Sequence, residues 1–223
     1  MKIKPPVTEQ DLLDRASRLT GITLQQLASQ LHIQVPNEMK YAKGWTGTLL
    51  ETALGANAAN SPEPDFIDLA IELKSIPVDD EGNPKESTYI CVTQLDPIAL
   101  SSWETSLVKR KLSHVLWIPI EAAKNIPIAL RHIGTPKLWH PDVEQENQLR
   151  EDWQELCDMI VMGDIDKISS SMGKYLQIRP KAANARILTK DKNQTGNNKA
   201  TLPRGFYLRS SFTRQIISAN NPK

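Results

Sequence analysis

Apolar residues recur at helical spacing in three early stretches and one long later one. From about Glu9 to Leu19, the positions Leu12, Leu13, Ala16 and Leu19 share one stripe; Thr8 offers an N-cap hydroxyl and Gly21 a stop. A second helix is predicted over Leu24–Leu31. A third, over Thr46–Ala53, carries Glu51 and runs into the small-residue loop Gly55-Ala56-Asn57-Ala58-Ala59. The clearest helix spans about Glu146 to Met162, with Leu149, Trp153, Leu156, Cys157, Ile160 and Val161 on one face and Gly163 at its end.

Between these stretches the period changes to two. In Pro64-Asp65-Phe66-Ile67-Asp68-Leu69-Ala70-Ile71-Glu72-Leu73-Lys74, strict alternation puts Ile67, Leu69, Ile71 and Leu73 on one face and Glu72 with Lys74 on the other. Asp79-Asp80-Glu81-Gly82-Asn83-Pro84 is turn chemistry, followed by strands at Thr88–Gln94 and His114–Ile120. Further strands are predicted at Lys174–Arg179 and Gly205–Ser210, with a helical pattern over Phe212–Ile217 and an unstructured tail at 218–223. The expectation is an α/β protein in which one mixed sheet is flanked by helices. The chain shows no internal repeat and no low-complexity segment.

The Glu-x-Lys pair adds chemistry to that strand. Hydrolysing a phosphate diester calls for a divalent cation that neutralises developing charge and activates water, and hard carboxylate oxygens hold magnesium. Asp65 or Asp68, together with Glu72, could supply them. Lys74 then stands where an ammonium orients the attacking water or stabilises the transition state. An isolated Glu-x-Lys is ordinarily the solvated face of a strand. Here the turn-rich approach Asn60-Ser61-Pro62-Glu63-Pro64-Asp65 can bring a first carboxylate to the strand's end.

Charge sharpens the picture. The net charge is +1, yet residues 174–223 hold eleven Lys or Arg against the single Asp191, leaving sixteen basic and twenty-five acidic residues before them. A tail of +10 on a body of −9 points to a polyanion as partner, because counterion release from phosphates gives a basic surface affinity regardless of sequence. No run approaches the ~18 apolar residues of a membrane span and no signal-peptide pattern opens the chain, so a cytoplasmic protein is expected. Cys91 and Cys157 each lie in apolar-periodic segments and read as buried free thiols. The four histidines fall in no metal-ligand spacing, and no phosphate-binding glycine loop occurs.

These residues resemble the restriction-endonuclease-like nucleases and, within them, the methyl-directed mismatch-repair endonucleases. The resemblance runs over essentially the whole chain. It is carried by Gly44-Trp45-Thr46-Gly47-Thr48-Leu49-Leu50-Glu51, by Pro64 to Lys74, and by Tyr175-Leu176-Gln177-Ile178-Arg179-Pro180-Lys181. It implies a monomer that binds double-stranded DNA at GATC and, with magnesium (manganese substituting), nicks the unmethylated strand just before the G. It further implies direct activation by MutL and indirect activation by MutS, any nucleotide dependence coming through the partner.

Residue by residue, the resemblance selects Asp65 over Asp68, which strand parity favours. It adds Glu51 as a further metal-binding carboxylate and Lys111 as a positioning lysine. It assigns Arg179 to a guanine edge, Lys181 to phosphate or base, Tyr207 to sensing the adenine methyl group, and Tyr89 to the same bases. The loop Pro180-Lys181-Ala182-Ala183-Asn184 could enter a groove. The implied architecture is one nuclease domain in two lobes, about 1–145 with the catalytic strand and about 146–217 reading DNA, that form a cleft. Two other readings compete. Leu19-Thr20-Gly21-Ile22-Thr23-Leu24-Gln25-Gln26-Leu27-Ala28 has the short glycine turn of a helix-turn-helix regulator, and a metal-free repair scaffold would need neither Glu72 nor Lys74.

Overall fold

The computed structural model describes residues 3–36, 42–59, 61–94, 96, 100–181, 189–192, 198–201 and 203–218. Ala182, Ala183 and Asn184 of the proposed groove loop, and all of the expected tail except Ser218, lie outside these. The chain divides into two compact units that interleave along the sequence. One comprises Met1–Glu86, Ser113–His140 and Ile216–Lys223, the other Ser87–Leu112 and Pro141–Gln215.

The first unit opens with α1 (Glu9–Ser17) and α2 (Leu24–Gln30). Thr8 caps α1 by accepting the Asp11 N–H at 3.1 Å, and Thr23 forms a reciprocal capping box with Gln26. The turn between them uses Gly21 at φ 82°, and its N–H donates to the Ile133 carbonyl at 2.8 Å. Leu12, Ala16, Leu24, Leu27 and Ala28 all point into the core. The α1–α2 pair is therefore a packed helical hairpin, and the sequence of α2, LQQLASQ, has no cation with which to face DNA.

Helix α3 (Ala42–Leu54) starts four residues before the expected Thr46, so Gly44 is inside it. Its Leu49, Leu50 and Leu54 are buried with Phe66, Ile71, Leu73, Leu116 and Ile118. Against this layer lies a three-stranded sheet in the order β1 (Glu72–Val78), β3 (Val115–Glu121), β4 (Lys137–Trp139), the first pair parallel and the second antiparallel. Leu73, Leu116, Ile118 and Leu138 serve the core, and Glu72, Lys74, Trp117 and Lys137 alternate to the other face.

In the second unit, β2 (Thr88–Val92), β8 (Arg204–Leu208) and β5 (Leu176–Pro180) form an antiparallel sheet in the order β2-β8-β5, and β6 (Thr189–Lys192) pairs with β7 (Asn198–Thr201). The strand expected at Thr88 thus exists, but it belongs to a different sheet from β1 and β3. Helix α5 (Val143–Val161) packs on β5 through a buried face that includes Leu149, Trp153 and Leu156. It begins at an Asp142–Gln145 capping box, three residues before the expected start. Helix α4 (Leu107–Leu112) contains the basic triplet, and α6 (Ser210–Ser218) follows β8. Cys91 and Cys157 are buried, and neither is in a disulfide. Among the described residues no helix is long and apolar enough to cross a membrane.

Candidate active site

The alternation over Ile67–Leu73 does not form one continuous strand. Residues Ile67–Leu69 make a 3-10 turn and Ala70 is left-handed at φ 53°, so the chain reverses. Phe66 donates its N–H to the Ile71 carbonyl at 2.9 Å, and Ile71 donates back at 3.3 Å, closing an antiparallel bridge. Ile67 is consequently 43% exposed rather than core. The reversal has a chemical consequence: pairing Phe66 with Ile71 brings Asp65 opposite Glu72. The Asp65 Oδ2 accepts the Leu73 N–H at 2.8 Å. Asp68, which strand parity would have placed beside Glu72, is instead exposed on the turn, where Asn57 Nδ2 donates to its Oδ2 at 3.4 Å.

Glu72 opens β1 and its N–H donates to the His114 carbonyl at 3.0 Å, locking it to the start of β3. Its side chain is 4% exposed, and the Lys74 side chain, 15% exposed, donates from Nζ to its Oε1 at 2.5 Å. A carboxylate this dry requires a compensating cation, and a two-residue step along a strand lets Lys74 provide it. Such a pair stabilises a fold poorly compared with apolar packing, so its occurrence at a strand end beside a second carboxylate points to chemistry.

Glu51 lies half-buried in the last turns of α3. Its carbonyl accepts the N–H groups of Gly55 and Ala56 at 3.0 and 2.9 Å, and Gly55, at φ 81°, has no room for a side chain, since a Cβ would sit 2.5 Å from the Lys4 carbonyl oxygen. Among the described residues no group of three or more His, Cys, Asp or Glu side chains is gathered as a metal site. The hairpin instead brings the chain at Asp65 across from Glu72, and carboxylates such as these two offer hard oxygens that suit magnesium.

The second unit collects four other sequence candidates in one cluster. Tyr89, Tyr207 and Gln177 stand in one row across β2, β8 and β5. The tyrosine rings meet edge to face at 5.3 Å. The Arg179 guanidinium is 6.0 Å from the Tyr207 ring, and Lys181 Nζ is 4.9 Å from the Tyr89 ring and 3.2 Å from its hydroxyl. Gly205 makes this possible: a Cβ there would lie 2.8 Å from Tyr89 Cε2 and 3.0 Å from the Cys91 carbonyl oxygen. Arg179 and Lys181 are exposed, presenting cations beside aromatic faces. Sequence reading missed Ser87, whose hydroxyl accepts from buried Gln177 at 2.8 Å and from Arg179 at 3.4 Å. No local signal marks it, because its partners are ninety residues away. Lys111 lies half-buried on α4 in the same unit.

The family model described as DNA mismatch repair enzyme MutH matches residues 54–152, which include Asp65, Glu72, Lys74 and Lys111. DNA mismatch repair protein MutH of Escherichia coli O6:K15:H31 (strain 536 / UPEC) is 50% identical over 216 residues, covering 97% of this chain and 94% of that protein. The MutH protein of Escherichia coli strain K12 matches at the same identity and coverage. Identity of this extent, over nearly the full length of both proteins, leaves one conclusion: the chain belongs to the MutH family of DNA mismatch repair enzymes.

Proposed function

We propose that this enzyme nicks double-stranded DNA at GATC, cutting the unmethylated strand 5′ of the G by magnesium-dependent phosphodiester hydrolysis. The observation that carries the reading is the Phe66–Ile71 hairpin, which sets Asp65 opposite Glu72 with Lys74 at 2.5 Å from the Glu72 carboxylate. Asp65 and Glu72 would hold the cation, with Glu51 as a further carboxylate. When bound, magnesium supplies charge neutralisation and an activated water. Lys74 orients that water and stabilises charge gathering on the phosphate oxygens, while Lys111 positions the substrate. The water oxygen bonds to phosphorus and gives up a proton to solvent as one P–O bond breaks, and the departing oxygen takes up a proton from solvent.

Specificity belongs to the tyrosine–cation cluster. Arg179 forks to the guanine N7 and O6, a contact that discriminates by about 1–3 kcal/mol, and Lys181 holds phosphate or base. Tyr207, backed by Tyr89, meets the adenine N6 edge, where one added methyl group has no space. The enzyme acts as a monomer, and MutL, recruited through MutS, raises a low intrinsic activity so that GATC sites are not cut at large.

Supercoiled plasmid with a single GATC site, in unmethylated, hemimethylated and fully methylated forms, tests the reading when incubated with magnesium and the enzyme or its Glu72→Ala variant. The expected outcome is nicking of the first two forms alone, stimulated by MutL and lost in the variant. DNA binding with no nicking even when MutL, MutS and ATP are present would return the chain to a non-catalytic regulator or scaffold.

A further inference from the structure

The loop that leaves α3 does more than connect. Asn57 reaches the Asp65 hairpin in three ways: its backbone N–H donates to the Asp65 carbonyl at 3.0 Å, its Oδ1 accepts the Ile67 N–H at 3.0 Å, and its Nδ2 donates to Asp68 Oδ2 at 3.4 Å. Ala58 adds a second N–H to the Asp65 carbonyl at 3.3 Å. Immediately before it, Gly55 and Ala56 are tied to the Glu51 carbonyl. A short, fully hydrogen-bonded path therefore leads from Glu51 through Asn57 to Asp65.

The hairpin depends on such a brace. Residues Ile67–Ala70 turn through a 3-10 segment and a left-handed alanine, and Ile67 and Asp68 are exposed, so core packing holds the base at Phe66 and Ile71 and, within the turn, the partly buried Leu69, but not the Ile67–Asp68 end. The Ile67 N–H is an orphan donor at the start of that 3-10 turn, and Asn57 Oδ1 satisfies it as a capping side chain would. The same amide then spans to Asp68, whose carboxylate is thereby engaged on the turn.

We propose that Asn57 is a positioning residue that fixes where the Asp65 carboxylate stands relative to Glu51 and Glu72, and so sets the affinity of the site for its divalent cation. The inference rests on the reading of Asp65 and Glu72 as cation ligands. Asn57 touches neither substrate nor cation; it acts through the hairpin. Removing its side chain deletes no core residue, because the side chain's hydrogen-bond partners, Ile67 and Asp68, are exposed and outside the apolar cluster.

The test uses manganese as the probe, with the full chain bound to a GATC duplex methylated on both strands, which is not cut. Binding is read from loss of the free-ion electron paramagnetic resonance signal, beside nicking of a hemimethylated duplex as a function of metal concentration. Asn57→Ala is expected to weaken manganese binding about ten-fold and to raise the metal needed for half-maximal nicking in step, the size usual for residues that orient ligands. Asn57→Asp loses the donor and sets two carboxylates against each other. The swap Asn57→Asp with Asp68→Asn restores one donor and two acceptors, and is expected to recover affinity to near that of the unaltered protein. Wild-type manganese affinity in Asn57→Ala overturns the proposal, while the assignment of Asp65 and Glu72 stands. Absence of manganese binding and of nicking in the unaltered protein overturns that assignment and the proposal with it. Should Asn57→Ala fail to fold, the comparison of Asn57→Asp with the swap decides, and equal affinity in the two is the contradicting result.

Discussion

Asp65 and Asp68 are three residues apart and meet opposite surroundings. Asp65 is half-buried, bonded to the Leu73 N–H and brought across from Glu72, whereas Asp68 is exposed on a turn. On the proposed mechanism, Asp65→Ala abolishes nicking and Asp68→Ala keeps most of it, lowering it only as far as the Asn57 brace loosens. Nicking rates of the two variants under saturating magnesium give the comparison, and the reverse ranking would sink the assignment. Cys157 makes a second residue-scale case. Burial pushes its thiol up to about 12, so almost none is thiolate near neutrality. Neither this residue nor the similarly buried Cys91 should be alkylated by iodoacetamide in the native protein, and both should react once it is denatured. At this scale the sequence was most legible where a rule is local. Glu72 and Lys74 share a face because alternation needs only a two-residue step, and both thiols lie in plainly apolar runs. Asp65 was not legible from alternation, because a left-handed residue at Ala70 reverses the chain and ends the period. Asn57 carried no signal beyond its place in a small-residue loop.

The hairpin from Phe66 to Ile71 is the element on which the site depends. Its one strained position is Ala70, at φ 53°. An L-residue there costs on the order of 1 kcal/mol, and glycine removes that strain while adding freedom to the unfolded chain. Ala70→Gly should therefore leave stability within about 1 kcal/mol of the unaltered protein, whereas Ala70→Val, crowded at Cβ, should lose about 1–3 kcal/mol. Thermal unfolding distinguishes them, and a valine variant as stable as the glycine one would contradict the geometry. A different element-scale prediction concerns α5 and α4. Lys109 on α4 pairs with Glu104 and reaches Glu146 on α5 at 2.9 Å, and Arg150 reaches Glu104 at 2.9 Å. The Lys109 hydrogen bond holds the Glu146 carboxyl below its usual range. A depressed folded value means stability that is present above the ordinary carboxylate value, about pH 4.3, and lost as pH falls from there through the lower folded value. Glu146→Gln should then show a shallower drop in melting temperature between about pH 6 and pH 3. Most strands and helices were visible from the sequence, with ends shifted by capping residues such as Asp142. Which strands pair was not visible. Alternation tells which face is buried, not which partner lies alongside, so β2 looked like a neighbour of β1 and β3 yet pairs with β8, more than a hundred residues later.

For the whole molecule, two interleaved units divide the chemistry. One holds Asp65, Glu72 and Lys74, the other Arg179, Lys181, Tyr89 and Tyr207. On the proposed function, the basic charge gathered in the last fifty residues gives salt-sensitive affinity for phosphates, and the tyrosine–cation cluster gives discrimination. The two contributions are separable. Arg179→Ala should lower preference for GATC over altered sites, with a loss of about 1–3 kcal/mol, whereas Glu72→Gln should leave DNA binding in place and remove cutting. A cluster variant that cut every sequence as well as it cut GATC before substitution would confirm the division from the other side. The charge split was legible from composition, while the convergence of Tyr89, Tyr207 and Arg179 from three strands with Lys181 just beyond β5 was not, because it depends on Gly205 making room for two rings that are 118 residues apart in sequence. The most direct measurement is strand-resolved cleavage of a duplex with one hemimethylated GATC, each strand separately end-labelled, by the enzyme in magnesium with MutL and ATP. One cut is expected, on the unmethylated strand, immediately 5′ of the G, and absent in Asp65→Asn and in Lys74→Ala. Cutting of both strands alike, or undiminished cutting by either variant, would contradict it.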